Sequence, residues 1–174
     1  KQKTAYAISS GDWSSDVCSS DLPQNPLDGV TAQIVVDQSS VAEGGQLKYT
    51  VSLVDSEGQT VSLPEGKAVT LNLDWSGAAA NDGDTAGRPA TVTLGADGTA
   101  SFSVDAKDDT LKEGSEGLVA TLTGAASNTA FESIAISESK GAASSAVTDE
   151  SSDPQDPQNP LDGVTAQIVV DQSS

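Results

Sequence analysis

The chain has 174 residues, with 26 Asp and Glu against 8 Lys and Arg, no histidine, and a formal charge of −18. An acidic balance of this size excludes nucleic acid and anionic membranes as partners, since both are held through basic side chains. Without His the commonest general base and neutral metal ligand are gone, which leaves carboxylate and carbonyl oxygens, hard donors suited to calcium or magnesium. No apolar run approaches the ~18 residues that span a bilayer, and enzyme chemistry is not expected.

Taken from its beginning, the chain opens on Lys1–Tyr6 (KQKTAY) and Gly11–Leu22 (GDWSSDVCSSDL). These two blocks resemble the in-frame translation of a sequencing adapter, departing from it at Ala7, where Glu is expected. Residues 1–22 are therefore set aside as an artefact without structure. They hold Cys18, Trp13 and Tyr6, so the remainder has no cysteine and four aromatics, Tyr49, Trp75, Phe102 and Phe131. Residues 23–29 read as a linker.

From residue 30 the dominant signal is period two, the mark of half-buried strands. Ala32, Ile34 and Val36 open the series (30–37). Leu47, Tyr49, Val51 and Leu53 alternate with polar neighbours (46–54), and Val69, Leu71, Leu73 and Trp75 do the same (67–75). Val92 and Leu94 (90–95) lead through Asp97-Gly98, a two-residue hairpin signal, to Phe102 and Val104 (99–105). Leu118, Ala120 and Leu122 follow (117–123), and Ile134, Ile136 and Val147 supply a closing strand or strands within 131–148. No helical stripe is present. About seven short strands over residues 30–150 predict an all-β, Greek-key, immunoglobulin-like sandwich with Trp75 and Phe102 in its core.

The stretch Pro23–Ser40 (PQNPLDGVTAQIVVDQSS) recurs residue for residue at Pro157–Ser174, 134 positions further on. The chain thus reads as one full unit of a tandem array of whole domains, followed by the first strand of the next unit, 164–174. Residues 151–163 form the connector. Pro154, Pro157 and Pro160 favour an extended, semi-stiff spacer of ~40 Å at ~3.1 Å per residue.

In such a sandwich the loops after the first, third and fifth main strands lie at one pole, where the chain also leaves the last strand. Those segments carry Glu43; Asp82 and Asp84; Asp105, Asp108, Asp109, Glu113 and Glu116; and Asp149 and Glu150. Ten carboxylates at one end repel each other unless a cation or solvent screens them. Calcium, with six to eight oxygen ligands in flexible geometry, suits such loops better than magnesium. The spacing is not that of an EF-hand.

The segments VAEGGQLKYTVSL (41–53), TVTLGADGTASFSV (91–104), DAKDDTLKEGSEGLVATLTGA (105–125) and AVTDE (146–150) resemble the immunoglobulin-like extender repeats of large bacterial RTX adhesins. They are also similar to Calx-β and cadherin-like modules. The resemblance covers Gly29–Glu150. It implies an extracellular, type I-secreted fibre on the bacterial surface, acting in cell adhesion and biofilm formation, with calcium as cofactor and the adhesive ligand bound elsewhere in the full protein. Carried over residue by residue, it implies Glu43, Asp108, Asp109 and Asp149 as metal ligands, with Glu113 and Glu150 behind them. The proline-bearing connector departs from the tight junctions of cadherin-like arrays, which argues against calcium bridging two domains and leaves a calcium within one domain open. The expectation is a structural spacer whose partners are its neighbouring repeats, with no nucleic acid and no membrane insertion. The alternative is a ligand-recognition sandwich, which needs an exposed aromatic platform.

Overall fold

The computed structural model describes residues 29–81, 83–108 and 113–149. The adapter-like segment, the connector, the second copy of the repeat, and the candidate ligands Asp109 and Glu150 lie outside the described residues. Ten strands form two five-stranded sheets. In chain order they are β1 (Gly29–Val36), β2 (Val41–Ala42), β3 (Gln46–Val54), β4 (Val69–Ser76), β5 (Thr85–Ala86), β6 (Thr91–Thr93), β7 (Thr99–Ala106), β8 (Ser115–Asn128), β9 (Ser133–Ile136) and β10 (Ala142–Thr148). One sheet runs β5-β7-β3-β1-β9 and the other β2-β10-β8-β4-β6. This is the expected Greek-key sandwich, and the seven anticipated strands are joined by the short β2, β5 and one of the two closing strands. Among the described residues no helix is long and apolar enough to cross a membrane.

Alternation in sequence becomes burial on one face. In β3, Leu47, Tyr49, Val51 and Leu53 have no exposed surface, while Lys48 points out. Across the sandwich they meet Val69, Leu71 and Leu118, each also fully buried. Burying a side chain of this size contributes ~1.5–3 kcal/mol, so the apolar layer between the sheets is the main source of stability. Tyr49 stacks on Phe102, with ring centroids 5.4 Å apart and planes at 10°, and meets Trp75 edge-on at 5.4 Å. Its hydroxyl shares a hydrogen bond of 2.9 Å with Ser145 Oγ, which also donates to the Leu118 carbonyl. Trp75 donates its indole N–H to the Pro89 carbonyl at 2.8 Å. Trp75 and Phe102 are half-buried and pack against the core on the side their parity implies, and Phe131 lies within it.

Two features differ from the pattern reading. A turn does form at Asp97-Gly98, with the Gly98 N–H bonded to the Gly95 carbonyl, and Gly98 takes a φ of 75°. Its flanking strands do not pair as a hairpin, however: β6 joins β4 in one sheet and β7 joins β3 in the other. Leu94 N–H bonds to the Val69 carbonyl, so the free edge of β4 captures this segment before the turn carries the chain across. The closing region likewise divides between sheets, β9 pairing parallel to β1 and β10 antiparallel to β8.

Candidate metal centre

Four segments meet at one pole, and backbone hydrogen bonds stitch them together. Glu43 N–H donates to the Thr148 carbonyl at 2.9 Å, alongside the parallel pairing of β2 with the end of β10. Ala106 N–H donates to the Gly45 carbonyl at 2.9 Å, and Lys107 N–H to the Asp84 carbonyl at 2.7 Å. Asp149 N–H reaches the Gly114 carbonyl at 3.2 Å. Gly44 makes the close approach possible. It sits at φ 72°, in the left-handed region that side-chain-bearing residues rarely adopt, with Asp108 packed beside it.

Within this frame one carboxylate oxygen each from Asp84, Glu113 and Glu116 lies within 4.8 Å of the other two. A cation with oxygen ligands at ~2.3–2.6 Å places opposite ligands about 5 Å apart, so this spacing fits one ion of calcium's size. Asp84 is only 8% exposed, and its Oδ2 is sealed from solvent with no hydrogen-bond partner among the described residues. Glu113 is exposed and Glu116 half-buried. Asp84 sits immediately before β5, where Thr85 and Ala86 pair with Ala106 and Asp105, and that pairing draws its side chain inward. Glu116 is in register with Val147 near the start of β8.

The expected ligands divide. Glu113 joins the cluster. Glu43 is half-buried at the same pole, with Oε2 sealed from solvent. Asp108 is exposed beside the Gly44 turn. Asp149 holds the loop that carries Glu113: its Oδ1 accepts from the Glu113 N–H at 3.1 Å and the Gly114 N–H at 2.9 Å. Asp105 accepts from Gln46 Nε2 at 2.6 Å on the β3–β7 face. Asp84 and Glu116 are among the ten acids expected at this pole but outside the expected ligand set, and the structure brings both to the centre. For Glu116 a signal was present, since it shares the inward parity of Leu118, Ala120 and Leu122.

Neither a family model nor a curated protein matches this chain. Among solved structures it is similar to the apo-form Calx CBD1 domain at 13% identity and a TM-score of 0.48, covering 69% of this chain and 98% of that one. It is similar to CBD12 from CALX1.2 at 14% identity and a TM-score of 0.49, covering 68% of this chain and 45% of that one. A third is the calcium binding domain CBD12 of CALX1.1, at 14% identity and a TM-score of 0.43, covering 68% and 44%. The chain thus spans less than half of the latter two.

Proposed function

We propose that this domain is an extender repeat of a secreted bacterial surface adhesin, stabilised by calcium at its acidic pole and projecting a distal adhesive domain. The observation that carries the reading is the Asp84 carboxylate, buried, with one oxygen unpartnered among the described residues and two further carboxylates beside it. A buried carboxylate without a counter-charge is costly, and a divalent cation removes that cost while drawing together loops from opposite sheets. Asp84, Glu113 and Glu116 would hold the ion, with Glu43 at the same pole. Calcium suits a site whose donors come from two separate segments, the turn before β5 and the start of β8, better than magnesium, which demands a stricter octahedron.

Extracellular modules bind calcium at ~10⁻⁴–10⁻³ M, so the site fills outside the cell and stays empty at cytosolic levels. The tandem identity of Pro23–Ser40 and Pro157–Ser174 supports a spacer, which gains reach from repetition, over an active site, which does not. The domain's four aromatics pack into or against the core, so none is left to build a recognition platform. The test is a thermal melt in EDTA, then in millimolar calcium, with magnesium at equal ionic strength as the control for screening. The expected result is a calcium-specific rise of several degrees; equal rises with both ions, or none, would overturn the calcium assignment.

A further inference from the structure

The first and last strands of the domain run side by side through both sheets. β1 lies parallel to β9, from Gly29↔Ser133 to Ala32↔Ile136, and β2 lies parallel to β10, with Val41↔Val147 and Ala42↔Thr148. Backbone bonds continue the contact between these ladders. Ser137 N–H donates to the Ala32 carbonyl at 2.9 Å, Ile34 N–H to the Lys140 carbonyl at 2.8 Å, and Ala146 N–H to the Ser39 carbonyl at 3.0 Å. Residues 29–43 and 133–148 thus cross from one sheet to the other together, and they exchange places as they do so. β1 is interior, between β3 and β9, and β10 is interior, between β2 and β8, whereas β9 and β2 are edges.

The chain enters and leaves this pair at opposite poles. β10 ends at Thr148, bonded to Glu43 at the acidic pole. β3 starts at that pole and β1 runs antiparallel to it, so Gly29 lies at the far one. Tension carried by the backbone therefore pulls β1 outward at one pole and β10 outward at the other, along the strand axes. The inter-strand hydrogen bonds lie across that line of force, so the ladders on both flanks of each strand share the load and must give way together. A force directed across the strands loads only the end pair and opens a ladder one pair at a time.

We propose that the domain is a mechanical clamp, in which β1 and β10, each flanked on both sides at the end where the chain pulls, resist tension in shear. The side chains oppose sliding as well. A slip of one residue turns Val30, Ala32 and Ile34, exposed by only 4%, 0% and 1%, from the core to the solvent face. On β10 it breaks the bond between Ser145 Oγ and the Tyr49 hydroxyl, which ties one sheet to the other. The resistance follows from strand geometry and needs no cation. Its use, keeping a surface fibre folded under load, rests on the spacer reading above.

Optical tweezers test this on the full chain with Cys18→Ser, in EDTA. Handles at the two termini load the domain in shear. Handles at the N-terminus and at the thiol of Ser56→Cys load it across the strands, because Ser56 is exposed in the turn after β3, at the same pole as Gly29. Glu57→Cys, at the adjoining exposed position, gives the same comparison independently. At one loading rate the terminal pull should need a several-fold higher force and unfold the domain in a single step, while the pull at Ser56 or Glu57 opens it at low force. Equal forces in the two directions would overturn the clamp, as would a low-force first step in which one end strand peels away under the terminal pull. The outcome is separate from that of the calcium melt: a calcium-specific rise in melting temperature combined with equal forces would overturn the clamp alone.

Discussion

Replacing Asp84 with Asn separates the two roles that a buried carboxylate plays at the acidic pole, because it moves stability in opposite directions with and without calcium. In EDTA the wild-type domain holds a carboxylate that is 8% exposed, within 4.8 Å of oxygens of Glu113 and Glu116. At an effective dielectric of about 20, each like-charge pair at that range opposes folding by about 3 kcal/mol. Glu113 is exposed, Glu116 is half-buried and both have other contacts, so screening reduces the total to about 1–2 kcal/mol. The amide removes this repulsion and can donate to either glutamate. For a domain of this size 1 kcal/mol corresponds to about 3–6 °C, so the EDTA melting temperature of Asp84→Asn should rise by about 3–10 °C. In 1 mM calcium the wild-type domain gains RT ln(1 + [Ca]/Kd), about 1.4 kcal/mol for a Kd of about 0.1 mM. The variant should lose most of that gain. Differential scanning fluorimetry of both proteins in EDTA and in calcium gives the four melting temperatures required. An Asp84→Asn domain that melts lower in EDTA and keeps its full calcium-dependent rise would refute the reasoning.

Other predictions rest on single observations. Burial raises the Tyr49 phenol above the ordinary tyrosine range; its hydrogen bond to Ser145 opposes that shift and the charge of Asp37 adds to it. With the folded pKa above the unfolded value of 10.0, stability is complete below pH 10 and declines as pH rises from there towards the folded pKa. Tyr49→Phe should remove that alkaline loss from a denaturant melt followed against pH, at a cost of about 1 kcal/mol near neutrality for the lost hydrogen bond. Gly98 and Gly58 have φ of 75° and 81°, yet a methyl group at Gly98 would strike the Val61 carbonyl while one at Gly58 would meet nothing within 4 Å. Gly58→Ala should cost about 1 kcal/mol, from backbone strain alone, and Gly98→Ala at least about 1 kcal/mol more, measured by urea unfolding.

The sandwich was legible because its strands have one wet face and one dry face. The parity of Leu47–Leu53 and of Val69–Trp75 states which residues are buried without naming a partner. Partner choice was less accessible. Val92 and Leu94 alternate in the same way whether their strand follows β7 or β4, and what decides the matter is the open edge beside Val69, a tertiary fact. Convergence of the acids at one pole followed from topology, but sorting them did not. Asp149 and Asp84 are both acids near strand ends. Asp149 turns Oδ1 to the amides of Glu113 and Gly114, and Asp84 turns Oδ2 into a sealed space. Spacing counts carboxylates without showing which of them backbone N–H groups have already engaged.

Because the apolar layer lies between the sheets and the acids lie at one end, folding and ion binding draw on different parts of the molecule, and hydrogen exchange can tell them apart. The Glu43, Lys107, Glu113, Gly114 and Asp149 amides each bridge segments at the acidic pole. An opening that frees any of them disrupts the site and releases the ion, so 1 mM calcium should slow their exchange by about the same tenfold factor as global unfolding, given a Kd of about 0.1 mM. The Gly58, Lys67 and Gly98 amides close turns at the opposite pole, onto the carbonyls of Asp55, Pro64 and Gly95. Their local openings leave the site intact, so their exchange should not respond to calcium. Slowing at both poles with equal magnitude, reproduced by magnesium, would mean that the cation screens the whole acidic surface and that no site centred on Asp84 exists.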